Sequence, residues 1–81
     1  MTELEALEKM ARELTESVAS RTWAAVLPFE REAWRKMQYF AHCARHGVEA
    51  APWEQVKQSW MEVAGKRHQA ARSRWRRENR P

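Results

Sequence analysis

Two sets of residues in this chain have types and spacings that could do chemistry. The first is His42, Cys43 and His46. Histidines four apart share one face of a helix, where both imidazoles can reach one metal ion. Cys43 points about 100° away from its neighbour His42, and His68 joins them only through tertiary contact. A structural or catalytic zinc needs three or four converging ligands, and the local sequence supplies two. His42 and His46 are therefore expected to be surface histidines near a helix end, with no metal and no other cofactor. The second set is the tail "GKRHQAARSRWRRENRP", in which Lys66, Arg67, Arg72, Arg74, Arg76, Arg77 and Arg80 surround Trp75. Guanidinium groups bind phosphate and carboxylate through paired hydrogen bonds, and Trp and Arg are the usual anchors of protein interfaces. The candidate partner-binding residues are Arg72, Arg74, Trp75, Arg76, Arg77 and Arg80, with Trp23, Lys66 and Arg67 as a secondary group.

Catalysis has no comparable signature. Ser17, Ser20, Ser59 and Ser73 lack motif context, and no glycine-rich loop is present to cradle phosphate. The carboxylates cluster toward the N-terminal end with the spacing of a solvated face, whereas a hydrolytic pair needs opposed environments that separate two pKa values. The expectation is a protein that is not an enzyme.

The elements that must position these residues are helical. Leu4, Leu7, Ala11, Leu14 and Val18 alternate spacings of three and four, the mark of one helix stripe. Thr2 with Glu5 fits a capping box, so a first helix is predicted over about 2–19. Thr22 is placed to cap a short turn carrying Trp23, Val26 and Leu27. Pro28 suits the first position of a second helix, predicted over 28–46. Its inner face is Ala33/Trp34, Met37, Phe40/Ala41 and Ala44, and Gly47 supplies the left-handed stop. Pro52 begins a third segment, 52–78, whose stripe is Trp53, Val56, Trp60, Val63/Ala64, Ala71 and Trp75. Gly65 either bends this segment or divides it into 52–64 and 66–78. On this phase Arg67 and Arg74 frame the packed stripe, and Arg72 and Arg76 face away from it. The tail then reads as a docked helix with a basic outer face.

Length and composition set the outer bounds. The chain has 81 residues, 43% of them hydrophobic, which fits one domain, 1–81. So short a chain buries only about 60–65% of its unfolded surface, and five Trp are the compensation. The fold class expected is an all-α three-helix bundle, or four-helix if Gly65 breaks the last segment, with a Trp-rich core. A lone Cys43 excludes an internal disulfide and is expected to be a small buried thiol. The apolar run from Trp23 to Phe29 is too short for a membrane span, and the Glu-rich start is unlike a secretory leader. These features predict a soluble, intracellular protein. Formal charge is +4, unevenly spread. Residues 1–19 hold five Glu against Lys9 and Arg12, net −3, while residues 66–81 carry seven cations against Glu78, net +6. Such polarity steers a partner or joins acidic and basic ends in a homodimer.

Glu8-Lys9-Met10-Ala11-Arg12, Trp23, Val26, Arg31-Glu32-Ala33-Trp34, Ala41 and Ala44 resemble the pattern of a broad group of small phage and prophage accessory proteins, mostly of unknown function. The likeness covers residues 5–46. It implies a phage accessory protein acting in the cytoplasm of an infected bacterial host. A looser pattern, Trp34, Trp53 and Trp75 with "QAARSRW", is similar to Myb/SANT-like three-helix domains. That resemblance implies a recognition helix at 66–77 in the major groove. Two functions follow as expectations. One is a small protein-binding factor that occupies or inhibits a host protein or protein–nucleic-acid complex, anti-defence activity such as CRISPR inhibition being one version. The other is DNA or RNA binding through the basic segment 66–80.

Overall fold

The computed structural model describes residues 1–80. Four α-helices and one 3-10 turn follow in order: α1 Glu3–Ala19, the turn Trp23–Ala25, α2 Pro28–His46, α3 Trp53–Glu62 and α4 Ala64–Glu78. No strand occurs among the described residues, and the chain is all-α. The helix ends follow from local chemistry. Thr2 Oγ1 accepts the Glu5 amide at 3.1 Å, and the Glu5 carboxylate accepts the Thr2 amide at 3.4 Å, closing the capping box of α1. Pro28 opens α2, where the Glu30 carboxylate accepts the Leu27 amide and the Arg21 guanidinium, each at 2.8 Å. The Arg21 contact, and after it the Leu27 amide, holds the Glu30 carboxyl below the usual carboxylate range. Gly47 adopts φ 64°, and the Val48 amide reaches back to the Cys43 carbonyl at 2.9 Å. Only glycine takes that backbone conformation without strain.

The helix α2 is the spine of two aromatic clusters. Toward its N-terminal half, Trp34 packs with Val18, Val26 and Ala64, flanked by Leu14 and Trp23. Toward its C-terminal half, Tyr39 and Cys43 pack with Trp53, flanked by Phe40, Val56 and Trp60. The polar ends of these rings find partners. Trp34 Nε1 donates to Thr15 Oγ1 at 3.0 Å, Trp53 Nε1 donates to Glu32 at 3.2 Å, and Tyr39 Oη accepts the Ala51 amide at 2.7 Å, tying down the loop before α3. Cys43 is buried, and no membrane-length apolar helix exists among the described residues.

Three local expectations are corrected. The break in the third segment falls at Val63, not at Gly65, which lies in the first turn of α4. Val63 sits at φ −96°, ψ −3°, in the bridge region beside the helical well. The stripe crosses this point in phase, since Trp60, Ala64, His68, Ala71 and Trp75 keep spacings of three and four, so the interruption leaves the inward face unchanged. Val63 and Ala33, both expected inside, are exposed. Thr22 precedes the 3-10 turn but its hydroxyl makes no cap bond. Arg31 instead donates to the Trp23 and Val26 carbonyls at 2.7 and 2.9 Å.

A methyl group at Gly65 would meet nothing within 4 Å, and its φ is not positive. Gly65→Ala is therefore expected to raise stability by about 0.5–1 kcal/mol through reduced freedom of the unfolded chain. A urea titration followed by far-ultraviolet circular dichroism checks this. A lower midpoint would mean that the bend at Val63 needs glycine beside it.

Candidate functional site

The inner side of α4 is committed to α1. An α-helix leaves its last four carbonyls without intrahelical partners, and α1 ends with neither a Gly cap nor a basic residue in its last turn. Side chains from elsewhere fill the gap. His68 Nε2 lies 2.9 Å from the Val18 carbonyl oxygen and 3.0 Å from that of Arg21. Carbonyls only accept, so this nitrogen carries the hydrogen and donates to both. Arg72 donates to the Ala19 carbonyl at 3.0 Å, and Ser20 Oγ and Arg21 Nε donate to that of Ser17 at 2.8 and 3.3 Å. A guanidinium at this end also complements the negative pole of the α1 dipole.

This geometry corrects the expected direction of Arg72. It does not face away from the packed stripe. It flanks His68, and its guanidinium is bound to α1 backbone. His68 was not singled out by sequence reasoning as a structural donor. The usable signal was at the other partner, in the unclosed C-terminus of α1.

The remaining cations of the tail, Lys66, Arg67, Arg74, Arg76, Arg77 and Arg80, are exposed and make no ion pair among the described residues. Arg67 is the most constrained of them. Its guanidinium lies 4.6 Å from the centre of the Trp60 ring and donates to Gln38 at 3.4 Å, bracing the bend between α3 and α4. Lys66 and Arg77 fall near the outermost line of α4, with Arg76 to one side and Arg74 to the other, and Arg80 follows just beyond the helix end. Trp75 is half-buried. It borders an open groove of about 750 Å³ between α1 and α4, and also a second hollow of about 510 Å³ lined by Ser73, Arg76, Arg77, Asn79 and Arg80. One ring edge is thus reachable from two sides among arginines.

Trp23, placed in the secondary group, is half-buried within the first cluster. Its ring centre lies 5.9 Å from that of Trp34 and 4.9 Å from that of His68, with Arg31 over its face at 4.7 Å. Arg35 is near the same ring at 5.6 Å. Burial, then the Arg31 charge, lowers its pKa. The structure does not bring Trp23 to the Trp75 face. His42 and His46 are exposed with ring centres 4.5 Å apart, and no group of three or more His, Cys, Asp or Glu among the described residues is arranged to hold a metal ion. Leu27 and Phe29, at the start of α2, are both exposed, which the sequence pattern did not mark.

Fold and site together define an all-α bundle with one helix bound inward by His68, Ala71 and Arg72 and cationic outward. Comparison of the chain with protein-family models, curated proteins and solved structures finds no match.

Proposed function

We propose that this chain is a small binding protein that acts by occupying a host macromolecular complex, docking through the outer face of α4. The observation that carries the reading is the division of labour on that helix. Its inner residues are fixed to α1, while Trp75 and the exposed Arg76, Arg77 and Arg80 surround one hollow with no carboxylate partner among the described residues. A half-buried Trp ringed by arginines on a rigid element has the make-up of an interface anchor, since little side-chain freedom remains to be lost on association. The likeness of residues 5–46 to small phage accessory proteins supports a host target, and anti-defence inhibition is one form it would take.

A second reading, nucleic-acid binding, is favoured by a specific feature. Lys66, Arg74, Arg76, Arg77 and Arg80 are distributed along a helix of 15 residues and its last turn, a length of roughly 22 Å. That row would meet successive phosphates, and such binding falls steeply with salt because counterions are released.

One experiment separates the two. The immobilised protein is incubated with nuclease-treated host lysate at moderate salt, and in parallel with duplex and single-stranded oligonucleotides over a salt series. Retention of a defined host protein, lost in the Arg76/Arg77/Arg80→Glu variant at unchanged helical content, is the expected result. Oligonucleotide binding with steep salt dependence and no retained protein would replace the first reading by the second.

A further inference from the structure

The groove between α1 and α4 has charges on both rims that are left unpaired within the molecule. α1 contributes Arg12 and Glu16, one turn apart, and α4 contributes Arg74 and Glu78, also one turn apart. All four are exposed and none is in an ion pair among the described residues, although all border the same groove. The other charges along the groove are held within the molecule: Arg45 pairs with Glu8 at 3.2 Å, and Arg67 lies over Trp60 and donates to Gln38. Thr15 within the groove is saturated, its hydroxyl donating to the Ala11 carbonyl and accepting from Trp34 and Gln38. Trp75 presents the apolar surface.

We propose that a second copy of this chain closes the groove, related by a twofold axis that passes through it. A twofold axis requires a self-complementary surface, in which every contact is made twice. The two rims meet that requirement. With α1 of one copy against α4 of the other, Glu16 faces the partner's Arg74 while Arg12 faces the partner's Glu78. The axis repeats both pairs, and the groove-side edges of the two Trp75 rings are covered. The molecule is a slab of 41 × 30 × 17 Å, whose broad dimensions leave room for the roughly 800 Å² that each partner buries in a standard interface. A second copy is the one partner whose opposite charges at this spacing are visible in the structure itself. This interface takes the groove-side edge of Trp75 and leaves the second hollow, with Arg76, Arg77 and Arg80, open. The Arg76/Arg77/Arg80→Glu variant therefore tests docking, and the Glu16 and Arg74 reversals test dimerisation separately.

Sedimentation velocity and equilibrium between low and several hundred micromolar protein test the idea. The wild-type chain is expected to form a concentration-dependent dimer that weakens with added salt. Glu16→Arg alone, or Arg74→Glu alone, puts like charges opposite each other twice and should lower the dimer affinity by on the order of tenfold or more. An equimolar mixture of the two variants should restore it. In the mixed dimer one copy's new arginine meets the other copy's new glutamate, and the unaltered Glu16 and Arg74 meet each other. Restoration on mixing cannot arise from misfolding, and circular dichroism checks that each variant alone is helical. The Arg76/Arg77/Arg80→Glu variant should dimerise as the wild type does. A monomeric wild type throughout that concentration range at low salt would overturn the proposal. So would a dimer indifferent to both charge reversals, or a mixture no stronger than its components.

Discussion

Trp34→Ala is expected to lower the stability of the fold by about 3–5 kcal/mol, more than any other single substitution considered for this chain. Trp34 is 2% exposed and is the largest fully buried side chain. It joins α2 to Val18 of α1, to Val26 after the 3-10 turn and to Ala64 at the start of α4. Its ring also meets Trp23 edge-on, with centres 5.9 Å apart. Truncating a buried Trp typically costs about 3–5 kcal/mol. A domain of this size has only roughly 0.05–0.15 kcal/mol of stability per residue in total. The substitution therefore removes a large fraction of what holds the fold. Trp34→Phe separates two contributions. It keeps most of the apolar volume but removes the donor to Thr15 and opens a smaller void, so a loss of about 1–3 kcal/mol is expected. Urea denaturation monitored by circular dichroism reads both. A Trp34→Ala protein with a wild-type midpoint would mean that the second cluster, around Tyr39 and Trp53, carries the fold alone.

The parts of this molecule legible in the sequence are those governed by neighbours along the chain. A capping pair, a proline, a glycine and apolar spacings of three and four bound α1 and α2 to within a residue, because each device acts over one turn. The same periodicity places Trp34 and Trp53 inside. It fails where the deciding partner is distant. Gly65 marks the weakest helix former of the third segment, yet the bend lies at Val63. Propensity says which residue tolerates a bend, and packing of Trp60 and Ala64 into different clusters says where it falls. Arg72 was misdirected for a similar reason. Centring the stripe on Ala71 and Trp75 puts it outside, whereas its position relative to His68 is only about 40° around the helix. A long side chain at that angle reaches the end of α1, and nothing within residues 66–80 reveals that α1 ends there. The cationic surface was legible as composition. Which cations are free became readable only once α1 had claimed one of them.

His68→Leu is expected to destabilise the fold by about 2–4 kcal/mol and to loosen α4 before the rest. Leucine has comparable bulk, so little of this is lost volume. The cost is that the part-buried Arg21 carbonyl loses the His68 donor and the Val18 carbonyl keeps only the Arg21 amide at 3.3 Å, at about 1–3 kcal/mol for a buried acceptor left short of partners, with lost contact against Trp23 and Trp34 added. His68→Gln discriminates between donor and ring. Its amide nitrogen can be placed near the imidazole Nε2 and donate to the same carbonyls, so it should recover part of the loss while still lacking the ring. Urea midpoints rank the three proteins. Amide hydrogen exchange shows where the damage lies, with residues of α4 and the last turn of α1 expected to lose protection first. Equal loss in His68→Leu and His68→Gln would assign the whole effect to ring packing. The location matters because α4 has no side-chain cap at its start. Its attitude is set by inward contacts such as His68, Arg72 and the first cluster, and that attitude presents Trp75 with Arg76, Arg77 and Arg80. Partner binding through that face should therefore weaken in His68→Leu even though His68 itself is buried against α1 and touches none of those three arginines.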